Sequence, residues 1–206
     1  MTRTIFRRNH LLALGLLGLL ACAPKGNDSL AFGPYDALVD LLQSTPPDQL
    51  QPLLIEKLQC GETNEKQLTA AAALANAETF GGEDYVGFHT AMAMLPALSM
   101  TEQLPTERQP LPILKVLYRN SAQIQAPGGP TKKTLREMHA AEEATVENRE
   151  LAIRDACRVA DFEKAENLFA PLAHASLDDA FNVLQPVMQV DINVHRFVFG
   201  HRTRGL

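Results

Sequence analysis

Residues 68–75 read LTAAAALA, inside the longer stretch TNEKQLTAAAALANAET. Alanine is the best helix former, because it loses no side-chain entropy in the helix. Its small side chain also lets a neighbouring helix approach closely. A chain built around such a segment needs other helices to lie against it. The rest of the sequence offers them: nowhere does it show the strict alternation with β-branched residues that marks a half-buried strand. The fold class this predicts is all-α, a helical bundle or a stack of helical hairpins with about eight or nine helices and no sheet. No repeat at a fixed period stands out, so a solenoid is not indicated.

Apolar spacing and breakers place the elements. Residues 35–43 carry Leu38, Leu41 and Leu42 at helical spacing, and Pro46 and Pro47 end that segment. Asp48 reads as the N-cap of a short helix that stops near Cys60 and Gly61. Thr63 and Asn64 open the alanine helix, which runs to Thr79 before Gly81 and Gly82. Residues 84–100 are helical, with a kink or break expected at Pro96. Residues 111–125 show Leu114, Leu117, Tyr118, Ser121 and Ile124 on one stripe, and Pro112 suits the first turn. Residues 126–130, APGGP, form a loop. A long polar helix is expected over 131–159, then one beginning at Asp161, one opened by Ser176 with Asp179 as a capping box, and a last one over 192–204.

The N-terminus has a separate purpose. Residues 1–10 are basic, with Arg3, Arg7 and Arg8 and no acid, and residues 11–22 are all Leu, Ala, Gly or Cys. That run is shorter than the ~20 apolar residues a spanning helix needs, and it fits the core of a secretory signal. Residues 19–22, LLAC, resemble the lipobox of bacterial lipoproteins, with Leu20 where a small residue is usual. The resemblance implies cleavage before Cys22 and lipid attachment to it. A plain signal-peptidase site over residues 21–23 is the competing reading, with Pro24 badly placed after the cut. Arg7 and Arg8 followed by NHLL also resemble a twin-arginine export signal, a route that carries folded proteins. The expected organisation is a signal peptide over 1–21, a small, polar tether over 22–33 and one helical domain over 34–206. The mature chain would be exported and lipid-anchored in the cell envelope, its membrane partner reached through Cys22.

Composition narrows the partners. The chain has 24 acidic and 19 basic side chains, and three of the arginines leave with the signal. Nucleic acid would be repelled by such a surface, which leaves a protein partner as the macromolecular option. With Cys22 lipidated, Cys60 and Cys157 remain as an even pair able to form a disulfide in an oxidising compartment; two buried thiols are the plainer alternative. The chain ends at Leu206 directly after an apolar helix, as a fragment of a longer protein would.

No phosphate-binding loop, dinucleotide fingerprint, serine-hydrolase elbow or HExxH is present. The chemistry left to consider is that of histidines. His89 shares a helix face with Tyr85, Phe88 and Met92, which points it inward. His139 lies on a stripe with Leu135, Glu142, Val146, Arg149, Ile153 and Ala156, and Glu143 is also one turn away. His201 shares a face with Val194, Phe197 and Val198, making it the more inward of the last pair, with His195 about 120° away. Inward imidazoles with a carboxylate nearby are the minimum for a transition-metal or redox site; each of these stripes also has a plain reading as core or solvated face. His174, at a helix end, is accounted for by the helix dipole.

Three segments, GFHTAMAMLPAL, LPILKVLYRN and DINVHRFVFGHR, together resemble the questin oxidase-like helical proteins. That resemblance implies oxidation of a bulky aromatic substrate, although no flavin or nicotinamide signature accompanies it. The leading expectation is a membrane-tethered helical lipoprotein acting as a binding or interaction module. The alternative is a helical oxidoreductase or metal-binding protein using His89, His139, Glu142, Glu143, His195 and His201. Whether the chain is an enzyme is left open by its motifs.

Overall fold

The computed structural model describes residues 30–80, 85–131, 133–135, 138, 147–190 and 194–205. Among them are nine α-helices and no strand: α1 Asp36–Ser44, α2 Pro47–Gln59, α3 Glu65–Phe80, α4 Tyr85–Thr101, α5 Leu111–Gln125, α6 Arg149–Arg158, α7 Phe162–Phe169, α8 Leu177–Met188 and α9 Val194–Gly205. The fold is all-α, as the sequence predicts. Cys22, His139, Glu142 and Glu143 lie outside the described residues, as do the expected signal segment and most of the expected tether.

Local chemistry explains the helix ends. Asn64 and Gln67 form a reciprocal capping box before α3: Gln67 N donates to Asn64 Oδ1 at 2.9 Å, and Asn64 N donates to Gln67 Oε1 at 3.1 Å. Each bond satisfies a donor that the first helical turn would otherwise orphan. Asp161 caps α7 by accepting from Lys164 N. Ser176 caps α8 by accepting from Asp179 N at 3.1 Å, while its hydroxyl donates to the Asp179 carboxylate at 2.6 Å. Pro47 sits in the first turn of α2, so Pro46, and not Asp48, occupies the N-cap position.

Helix α3 is the hub. It packs against α1, α4 and α5, and eleven of its residues, from Leu68 to Phe80, are buried. A helix buried on several faces cannot show a one-sided apolar stripe, and the alanines at 71, 72, 73 and 75 are what allow three neighbours to close on it. Leu42, Leu50, Leu54, Met94, Ile113, Leu117 and Ile124 complete this first core cluster. A second cluster joins α6, α7 and α8 through Ile153, Cys157, Phe169, Leu184 and Val187. A third, smaller one sets Phe199 of α9 against Phe88 and Ala91 of α4.

Burying α3 also buries polar groups, which then need partners. Asn76 Nδ2 donates to the Gly87 carbonyl at 2.9 Å and to Asn120 Oδ1 at 2.7 Å. Thr90 Oγ1 lies 2.7 Å from the Gly87 carbonyl and 2.9 Å from Asn120 Oδ1. One residue from each of α3, α4 and α5 is thereby locked to the others. Gly87 is required here: a Cβ at this position would stand 2.5 Å from the Phe80 ring.

Several sequence expectations are corrected. Phe32, assigned to the tether, is 5 % exposed and belongs to the first core cluster, with its N–H donating to Asp36 Oδ1 at 2.6 Å. The helical body therefore starts before residue 34. No single helix covers 131–159. The N–H groups of Thr134 and Leu135 donate to the Glu78 carbonyl of α3 instead of to their own preceding turn, and Asn148, with φ +55°, starts α6 afresh. Pro96 does not break α4, which runs on to Thr101 with Met94 and Ala97 buried on either side of it. The segment expected as one helix after Asp161 is α7 followed by a 3-10 turn, Ala170–His174, with Pro171 at its start.

Cys60 and Cys157 form no disulfide. Cys60 is exposed at the end of α2, whereas Cys157 is buried in the second core cluster, so the two sit in different surroundings. The even count gave no geometric warrant for a bridge.

Truncating Asn120 to alanine removes the buried acceptor that Asn76 and Thr90 share and leaves a cavity between α3, α4 and α5. The expected loss is about 2 kcal/mol of unfolding free energy by urea denaturation. Alanine at the exposed Glu102, as a control, should stay within about 0.5 kcal/mol.

Candidate functional site

Helix α9 lies along α4 in the same sense, with His195 and Phe199 near His89 and Phe88, and Gly205 against Leu95. The approach at the far end is close enough that a Cβ on Gly205 would meet Leu95 Cδ2 at 2.3 Å. Arg204 fastens α9 to α8 as well, donating to Asp178 through its guanidinium and lying 5.4 Å over the Phe181 ring.

At the near end four rings converge. The His89 and His195 ring centroids are 4.9 Å apart at an interplanar angle of 70°. Phe88 stacks on its neighbour His89 at 4.7 Å and meets His195 edge-on at 5.6 Å. Phe199 closes the group edge-on to Phe88 at 6.3 Å. Phe88 and Phe199 are buried and both imidazoles are half-buried. Two side chains able to bind a metal, move a proton or donate hydrogen bonds thus come from helices more than a hundred residues apart. They sit against an apolar wall that limits the competition from water.

The inward face of α9 is not the one expected. His195 and Phe199, four residues apart, face α4, whereas His201 is exposed and Phe197 is 62 % exposed. At 100° per residue, Phe197 lies about 200° from His195, on the opposite side of the helix. The spacing of Phe197, Val198 and His201 was helical, but an apolar stripe does not by itself say which side is inward. Among the described residues no group of three or more His, Cys, Asp or Glu side chains is placed to hold a metal ion. Of the six proposed ligands, His89 and His195 are brought together, His201 is not, and His139, Glu142 and Glu143 lie outside the described residues.

A second polar cluster was missed by sequence reasoning. The Glu78 side chain of α3 is 1 % exposed and accepts from Gln43 Nε2 at 2.8 Å and from Lys133 Nζ at 2.8 Å. Its backbone carbonyl holds Thr134 and Leu135. A buried carboxylate with a cation and an amide donating to it is engaged in holding structure, here fastening 133–135 to α3. Gln43 Oε1 is buried without a hydrogen-bond partner among the described residues. The available signal was positional: Gln43 follows Leu42 and sits four residues after Val39, on the buried side of α1. Lys57, on α2, has its pKa raised by its hydrogen bond to Glu62 and by that carboxylate's charge. It is an exposed pair with no part in either cluster.

No family model, no curated protein and no solved structure matches this chain. The two faces of α9 make different predictions. Phe199→Ala should cost about 3 kcal/mol in chemical denaturation, since it empties a packed position. Phe197→Ala should cost no more than about 0.5 kcal/mol. The reverse order would restore the face expected from sequence.

Proposed function

We propose that this chain is an exported lipoprotein whose helical body is a binding module held at a membrane surface through lipid on Cys22. The observation that carries the reading is the LLAC motif at the end of a basic and apolar leader. The described body is consistent with a module that presents a surface: its first core cluster begins at Phe32, ten residues after the anchor position. Such a leash would keep the helices close to the bilayer. Two groups of buried polar side chains, on α3 and its neighbours, are spent on one another. Asn76, Thr90 and Asn120 bond together, and Glu78 bonds with Gln43 and Lys133.

A second reading, a histidine-containing oxidoreductase or metal-binding protein, is favoured by one observation. His89 and His195, from the first and last of the three segments that resemble the questin oxidase-like proteins, stand ring to ring. The half-buried imidazoles and their phenylalanine wall would be the binding locus under either reading.

Expression of the full chain in a bacterial host should place it in the membrane fraction, with a diacylglyceryl mass on the peptide that begins at Cys22. Cys22→Ala should abolish the lipid mass and release the protein from membranes after high-salt washing. Retention of lipid label by that variant would overturn the anchor.

A further inference from the structure

We propose that the outer face of α5 lies against the anionic lipid surface to which the chain is tethered. This deepens the reading of the chain as a membrane-held module and rests on it, naming the side of the body that the bilayer covers. The sequence carries the first observation. Residues 108–136 hold six of the chain's 19 basic side chains and none of its 24 acidic ones. The whole chain is acidic, with a formal net charge of -5, so this stretch is a local reversal of sign. The structure orders part of that charge on one surface. Tyr118, Leu111, Lys115 and Arg119 fall within an arc of about 100°, counted at 100° per residue. All four are exposed, Leu111 at 57 % and Tyr118 at 44 %. Arg108, also exposed, ends the 3-10 turn Thr106–Arg108 just before the helix. The other side of α5 is spent on the core, through Ile113, Leu114, Leu117, Asn120, Ser121 and Ile124.

The chemistry of this face suits an anionic bilayer. Among the described residues Arg108, Lys115 and Arg119 make no ion pair, whereas Lys57, Lys133, Arg154 and Arg204 each hold a carboxylate. The three cations are therefore available to phosphate. Leu111 and Tyr118 stand beside them on the same arc, as in a helix that lies in a membrane interface: the cationic heads reach phosphate while the apolar groups enter the boundary between headgroups and acyl chains. From Leu111 to Arg119 the helix runs about 12 Å, a strip that a planar surface can meet along its length. An acidic protein could also meet the cations, but the bilayer is the acidic surface that the anchor puts within reach. Ten residues separate Cys22 from the core residue Phe32, a leash of at most ~35 Å. The attraction of anionic lipid fades within a Debye length, about 10 Å at 0.1 M salt. It therefore acts on a body already held near the surface, and there it selects which side faces the lipid.

The chain contains no tryptophan, so Tyr118→Trp places a single fluorescent reporter on the face. The full chain, as its bacterial host processes it, is reconstituted on vesicles of phosphatidylcholine, alone or mixed in equal parts with phosphatidylglycerol. Part of the phosphatidylcholine is brominated on its acyl chains to quench a tryptophan in contact with them, and vesicle-bound protein is isolated by flotation. On the mixed vesicles the reporter should shift to the blue and lose roughly half of its emission. On phosphatidylcholine alone, or on mixed vesicles in high salt, it should do neither. Adding Lys115→Gln and Arg119→Gln should abolish the quenching and leave flotation intact. A second reporter, Val159→Trp, at a position 76 % exposed just after α6, should stay unquenched throughout. Flotation on both vesicles with Tyr118→Trp unquenched, or equal quenching of the two reporters, would overturn the face and leave the tether standing. Flotation on mixed vesicles alone, with Tyr118→Trp quenched, would remove the tether and keep the face. A blue shift that follows protein concentration without lipid would assign the face to a second copy. A response to polyglutamate and none to mixed vesicles would assign it to an acidic protein. Either result would overturn the proposal.

Discussion

The burial of α3 on several faces is the constraint on which the rest of the first core depends. A helix satisfies its own backbone hydrogen bonds, so it can be enclosed at no cost to its main chain except at the ends. Its N-terminal end is closed by the Asn64–Gln67 capping box. Alanines at 71, 72, 73 and 75 keep the helix thin where α1, α4 and α5 come together around it. Larger side chains there would push the neighbours apart and open the contacts of Leu42, Met94 and Leu117.

Enclosure makes every polar side chain on α3 consequential. Asn76 and Glu78, two residues apart, point to different neighbours. The first ties α3 to α4 and α5, and the second ties it to α1 and to residues 133–135. An unmet buried amide costs about 1–3 kcal/mol, whereas an apolar pair of the same shape can be nearly neutral. The networks therefore add little net stability. What they contribute is selectivity among packings, since a rotated or slipped α3 would strand each of these groups.

The α4–α9 junction follows a different logic. Its two phenylalanines are buried, and its two half-buried imidazoles meet edge-on across the helix pair. Helix α9, touching both α4 and α8, matters beyond its length: it connects the first core to the α6–α8 group while carrying half of the candidate site.

Much of the helical order was legible in the residues. Apolar spacing, proline positions and capping side chains are local signals, and they placed α1, α3, α4, α5 and α9, and the start of α8, within a residue or two. They failed where a distant group competed with the local one. The long helix expected over 131–159 gives way because the Glu78 carbonyl captures the N–H groups of Thr134 and Leu135. Tyr118 was read on one helical stripe of α5 with Leu114, Leu117, Ser121 and Ile124. It is 44 % exposed, and Asn120 lies inside in the company of Asn76. His195, and not His201, faces α4 for a related reason: periodicity defines the faces of a helix but does not select the one that a neighbour covers. By itself the sequence determined the all-α class and the helix order, both properties of short windows. Only the tertiary structure decided the enclosure of α3, the separation of Cys60 from Cys157 and the meeting of His89 with His195. Those depend on contacts between residues far apart in the chain, where packing and hydrogen-bond satisfaction override local preference.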